Sequence, residues 1–138
     1  MSDKHDESYS VIRNLKQRWD DEDAARDELE QQRKQLFAEE QASQTFAPIE
    51  DYFIRLNKVL SSVHASVNIE ANWEHLVDQR LRRVVTVTST EPWKQLPLNF
   101  TIDGASILYR NMPYRFSRGI ETLVLVITSE IEEFLKPR

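Results

Sequence analysis

Three histidines, at positions 5, 64 and 75, are the only imidazoles in the chain, and without cysteine there is no thiolate to join them in a zinc site. No two have the three- or four-residue spacing that puts ligands on one helix face, so no metal site is expected. One short stretch gathers groups able to move protons. In "WEHLVDQRLRR", Glu74, His75, Asp78 and Arg80 fall close together, and an acid, an imidazole and a second acid lining one pocket could act as general acid and base. No nucleophile motif or oxyanion-forming glycine accompanies them, and the stretch reads as a polar connection between two strands. Glu132 and Glu133 are sequence neighbours that point different ways on a helix. Gly104 and Gly119 are the only glycines, which excludes the glycine-rich phosphate loops. Neither a cofactor nor an enzymatic activity is expected.

A second chemistry is electrostatic. Residues 80–118 hold seven Lys and Arg against two Asp and Glu, whereas residues 1–42 hold seven against twelve, in a chain of net charge -5. Arg82, Arg83, Arg110, Arg115 and Arg118, with Trp93, Tyr109, Tyr114 and Phe116 near them, are candidate contacts for nucleic acid or another anionic partner. Arginines hold phosphates, and aromatic rings stack on bases. The competing expectation is that the acidic and basic segments neutralise each other in one folded molecule.

The elements that would position these groups follow from periodicity. From Val11 to Ala42 there is no proline or glycine, and Gln, Glu, Arg, Leu and Ala dominate, which predicts helix. Asp20, Asp21 and Asp23 would also suit the start of a further helix, so the pattern allows a break near Trp19. Ile12, Leu15, Trp19, Leu29 and Leu36 fall on a heptad grid whose other sites are Glu22, Arg26, Arg33 and Glu40. A strict two-stranded coiled coil would be poor. A thin apolar stripe laid on the chain's own domain or on a second copy fits better, with Leu15, Trp19, Leu29 and Leu36 as candidate oligomer contacts. A separate helix is predicted to open at Pro48 and to bury Ile49, Tyr52, Phe53, Leu56, Val59, Leu60 and Val63 on one face.

After Ser66 the period switches to two. Val67, Ile69, Ala71 and Trp73 alternate with polar residues as in one half-buried strand. In "RLRRVVTVTST" one face reads Leu81, Arg83, Val85, Val87 and the other Arg82, Val84, Thr86, Thr88. Asp103 and Gly104 suit the centre of a tight hairpin, which would set Ile102 opposite Ala105, Phe100 opposite Ile107 and Leu98 opposite Tyr109, all on the dry side. Leu123 to Thr128 has strand composition, but Ile120, Leu123, Val124, Ile127, Ile131, Phe134 and Leu135 form a helical face, and its length and the acidic "SEIEE" predict a helix stopped by Pro137.

The resulting expectation is an α+β fold with N-terminal helices, an antiparallel sheet of about four strands and a C-terminal helix packed on one face of it. Residues 1–9 are read as a flexible N-terminus, 10–44 as a helical arm and 45–138 as one α+β domain. No secretory signal or membrane-length apolar run is present, and with the absence of cysteine this predicts a cytoplasmic protein with no membrane contact. The leading functional expectation is a non-enzymatic oligomerising or adaptor module, chaperone-like in size and charge, with a protein partner or a second copy and no small-molecule cofactor. A nucleic-acid-binding regulator using the basic sheet face is the alternative, and a small enzyme working around His75 is the third.

Overall fold

The helix-forming run read from Val11 does not stop before Pro48. In the computed structural model, which describes residues 3–115 and 118–137, a single helix α1 spans Asp3–Leu60 with Pro48 inside it. The expectations for residues 1 and 2, and for Phe116, lie outside the described residues. An internal proline removes one helical hydrogen bond and crowds the preceding turn, at a cost of about 3 kcal/mol. Here Ala42, Phe46, Ile49, Phe53 and Leu60 are buried on one face that passes straight through the proline. Burying each large side chain contributes roughly 1.5–3 kcal/mol. Packing on both sides of Pro48 therefore outweighs the local defect, and the two predicted helices are one.

By contact, the chain divides into two compact units, Met1–Phe37 and Ala38–Arg138. The second unit holds the rest of α1 and every strand. After a 3-10 turn at Ser61–Val63 come β1 (Ala65–Ile69), β2 (Glu74–His75), β3 (Leu81–Thr90), β4 (Trp93–Asp103), β5 (Ser106–Tyr109), β6 (Met112–Arg115) and the helix α2 (Ile120–Leu135). The six strands form one antiparallel sheet in the order β1-β3-β4-β5-β6, with β2 also paired to β3. Since β4 lines one edge of β3 from Leu81 to Thr90, β1 and β2 share the other edge end to end. The α+β class and the C-terminal helix are as expected. Among the described residues the strand count is six where about four were read.

Two local causes account for the extra strands. The alternating run from Val67 to Trp73 does not stay in one ladder: pairing ends at Ile69 opposite Val85, and Glu70 N donates a last bond of 3.1 Å to Val84 O. Beyond it the chain turns away to close over Arg83, whose Nη2 donates to Ala71 O at 3.2 Å. Trp73 packs inward and Ala71 faces solvent. At the other end, Arg110 and Asn111 both take positive φ, 50° and 65°, between Tyr109 and its partner Met112. Two consecutive positive φ angles are the demand of the hairpin turn that matches strand twist. No glycine marks that turn, so β6 escaped the reading. As an edge strand, β6 accommodates Pro113.

The β4–β5 hairpin also differs from expectation. Its two-residue loop is Gly104–Ala105 in place of Asp103–Gly104, and Asp103 pairs with Ser106, Ile102 with Ile107 and Thr101 with Leu108. Gly104 is the first central residue and has φ +59°, while Ala105 does not take positive φ, as in hairpin turns with glycine first. Each partner is thereby displaced by two residues, and because side chains alternate with period two Leu98, Phe100, Ile102, Ile107 and Tyr109 stay on the dry side, while Ala105, expected there, is exposed in the loop. The new register also stacks Phe100 on Tyr109, with ring centroids 5.2 Å apart.

One hydrophobic core follows. From the sheet it takes Leu81, Val85, Val87, Leu98, Phe100, Ile102, Ile107 and Tyr109; α1 contributes Phe46, Ile49 and Phe53, and α2 contributes Leu123, Ile127 and Ile131. Phe100 is its hub, within 5.5 Å of the Phe46 ring and 5.8 Å of the Phe53 ring, centroid to centroid. Within the Ala38–Arg138 unit both helices thus roof the same side of the sheet, and no described helical residue of that unit covers the side carrying Arg82, Thr86, Asn99 and Thr101. Among the described residues no helix is long and apolar enough to cross a membrane. Phe100→Ala should lower the unfolding free energy of the full chain by about 3–5 kcal/mol in urea denaturation, whereas Thr101→Ala on the open face should stay within about 0.5 kcal/mol.

Candidate functional site

The alternation of β3 sends Arg82 and Arg83 to opposite sides of the sheet. Arg83, proposed from sequence as a surface contact, is buried at 7% exposure among the core residues. Its guanidinium carbon lies 4.0 Å from the centroid of the Trp73 ring and 5.7 Å from that of Phe46. Trp73 is held in place by its Nε1, which donates to Ser43 Oγ at 3.0 Å. Arg83 Nη2 reaches Ala71 O, but Nε is buried without a hydrogen-bond partner. Burial pushes the Arg83 pKa down, opposed by the negative field of Glu50, Glu39 and Glu70. The aromatic faces supply much of what water would otherwise give the cation. Arg83 is consequently a packing element that joins β3 to α1, unable to share a surface with Arg82.

The acid and imidazole of the 74–78 stretch also part company. Glu74 turns to Arg82, accepting from its Nε at 3.0 Å and its Nη2 at 2.7 Å. His75 Nε2 meets Glu39 Oε1 of α1 at 2.9 Å. Asp78 sits in the 3-10 turn Val77–Gln79 with φ 69°. The three do not converge, and among the described residues no cluster of three or more His, Cys, Asp and Glu is placed to hold a metal.

What the sheet does assemble is a shallow hollow of about 670 Å³ on its open face. Arg80, Arg82, Asn99, Thr101, Leu108 and Arg110 are among its walls, and among the described residues no acidic side chain lines it. The register explains the grouping, since Arg82, Thr101, Leu108 and Pro113 stand in one row across β3, β4, β5 and β6. Each arginine nevertheless has a carboxylate at the rim: Arg80 with Asp103 at 3.6 Å, Arg82 with Glu74 at 2.7 Å and Arg110 with Glu130 at 2.9 Å. Arg115 is exposed on β6, and Arg118 is exposed in the turn before α2. Sequence reading found Arg82 and Arg110 but missed their acidic partners, which come from other elements. A larger hollow of about 1060 Å³, flanked by Val59, Val63, Pro92, Phe134 and Leu135, lies where the ends of α1 and α2 meet the β3–β4 hairpin. Lys94 closes onto it, its Nζ bonded to Phe134 O and 4.7 Å from the centroid of that ring.

Glu130 of α2 links the two sides of β5. It accepts a hydrogen bond from Tyr109 OH through Oε2 and pairs with Arg110 through Oε1. Burial first, and the bond to Glu130 second, push the Tyr109 pKa up to about 12. The bond to Tyr109, with the Glu130 charge behind it, pushes Arg110 upward as well.

The Met1–Phe37 unit presents a different surface. Every residue from Ser10 to Phe37 is exposed. The predicted oligomer contacts Leu15, Trp19, Leu29 and Leu36 are exposed at 40%, 61%, 55% and 66%. Val11, Ile12 and Phe37 are open to solvent as well. Among the described residues, nothing within the unit covers this stripe.

Compared with known proteins, the chain matches no family model, no curated protein and no solved structure. The Tyr109 site gives a direct test. An unfolded chain releases a tyrosine proton near pH ~10, so between about pH 10 and about 12 the folded state holds a proton that the unfolded state has lost, and stability falls as pH rises through that window. Urea midpoints measured from pH 9 upward should fall more steeply in the wild type than in Tyr109→Phe.

Proposed function

We propose that the protein is a non-enzymatic protein-interaction module that self-associates through the helix of residues 10–37. The observation that carries this reading is the continuous exposure of that helix together with its large apolar residues. A helix has little stability in water without packing for an apolar face, and large exposed apolar residues in helical register are the usual means of supplying it. Two of the residues that could do proton chemistry, Glu74 and His75, are separately engaged with Arg82 and Glu39. A cytoplasmic setting belongs to the same reading and rests on the absence of cysteine. Light scattering of the full chain should return a multiple of 16.3 kDa, and the paired change Trp19→Glu with Leu29→Glu should return the single-chain mass. A wild-type chain that stays monomeric at high concentration would overturn the reading.

A second reading is favoured by the hollow on the open sheet face, where Arg80, Arg82 and Arg110 meet with no acidic side chain in the walls among the described residues. Here the partner is an anion such as single-stranded nucleic acid, seated over Asn99 and Thr101. Its rim carboxylates must yield their arginines to phosphate, which makes binding strongly dependent on salt. Fluorescence anisotropy with a single-stranded RNA should show affinity falling steeply between about 50 and about 200 mM salt, and Arg82→Ala should weaken it further. Salt-independent binding, or no binding, removes this reading.

A further inference from the structure

The exposed stripe of residues 10–37 carries more information than its apolar content, because charged residues occupy fixed places within it. On the heptad grid the successive contact positions are Ile12, Leu15, Trp19, Glu22, Arg26, Leu29, Arg33 and Leu36. We propose that this helix pairs with the same helix of a second copy in antiparallel orientation, centred on Ala24, so that residues equally far before and after Ala24 face each other. The inference rests on the self-association proposed above and names its partner and register.

In that alignment Ile12 meets Leu36 of the second copy and Trp19 meets Leu29, each twice by symmetry, which makes four apolar layers out of eight. Glu22 meets Arg26, also twice, so the acidic and basic interruptions of the stripe become two attractive pairs at the centre. Leu15 meets Arg33, whose methylene stem can lie along the leucine while the guanidinium reaches water. Every polar residue on the grid from Ile12 to Leu36 then has a suitable partner.

Other pairings are poorer. A parallel, in-register pair would keep more apolar layers but would set Glu22 against Glu22, Arg26 against Arg26 and Arg33 against Arg33 at the contact line. It would lay the run Asp20, Asp21, Glu22, Asp23 beside its own copy; the antiparallel pair also sets Asp21 opposite Asp27 and Asp20 opposite Glu28, so the grid positions Glu22, Arg26 and Arg33 make the difference. Like charges facing each other in an interface are strongly unfavourable and commonly decide orientation. Sliding the antiparallel pair by one heptad either way halves the apolar layers to two and sets Trp19 against Glu22 in one direction and Leu29 against Arg26 in the other. The stripe is therefore self-complementary in one arrangement, the two-fold kind in which each surface serves both copies.

The chain contains no cysteine, so introduced thiols report the alignment directly. Full-length Ile12→Cys and Leu36→Cys variants, mixed under mild oxidation, should give a disulfide-linked dimer containing one of each, while either variant alone should give none. As a second measurement, Glu22→Arg should raise the dimer dissociation constant by about tenfold or more, because both central pairs become repulsive, and adding Arg26→Glu should restore it. If the wild type is dimeric but Ile12→Cys links to itself, or the mixture gives no linked dimer, or Glu22→Arg leaves the dissociation constant unchanged, this register is wrong while self-association stands. A monomeric wild type would remove both.

Discussion

The burial of one side of the sheet around Phe100 is the interaction from which the other features follow. Its ring touches Phe46 and Phe53 of α1 and stacks on Tyr109 of β5, so one residue of β4 joins the roof to two strands. Close packing of that side requires α1 to remain helical through Pro48, since Phe46 and Phe53 lie on either side of it. It also requires β4 and β5 to pair so that Phe100 meets Tyr109. With both helices committed to that side, the opposite side stays open, and the arginines that alternation sends there gather over a shallow hollow.

The same constraint sorts the positive charge. Arg83 shares the inward parity of Leu81 and Val85, and its burial is compatible with folding because Trp73 and Phe46 offer ring faces and Ala71 a carbonyl. Its neighbour Arg82 points outward and is matched by Glu74. Around the open face the carboxylates come from β2, the end of β4 and α2, so the local surplus of arginine is largely compensated across elements. Electrostatic balance in this molecule is a property of the tertiary arrangement, and the basic stretch of sequence does not become a uniformly basic surface.

Much of this organisation was legible in the pattern of residues. The inward set of β3 and β4 recurs at the period of a strand, and of the helical face read from Ile49 to Val63 the residues Ile49, Phe53 and Leu60 are buried whereas Val59 and Val63 are exposed. The helix α2, whose composition also suited a strand, is a helix over its whole face. Where the pattern misled, a longer-range contact had overruled a local signal. Pro48 marks a helix start by itself, but core packing carries the helix across it. Asp103 and Gly104 suit a turn by composition, yet the pairing of Phe100 with Tyr109 moves the loop on by one residue. The break between β1 and β2 falls where the Ala71 carbonyl accepts a bond from Arg83, twelve residues further on.

The sequence by itself determined which residues are apolar and at what period, and hence the α+β class, the dry side of β3 and β4, and the helices read over residues 11–42 and 120–135. These depend only on geometry that repeats within an element, so alternation survives even a two-residue change of register. Tertiary structure alone decided the number of strands, the place of each turn, the burial of Arg83 and the acid that each outer arginine meets. Those are contests between local preference and contacts from elements distant in sequence, and their outcome depends on distances that exist only once the chain has folded.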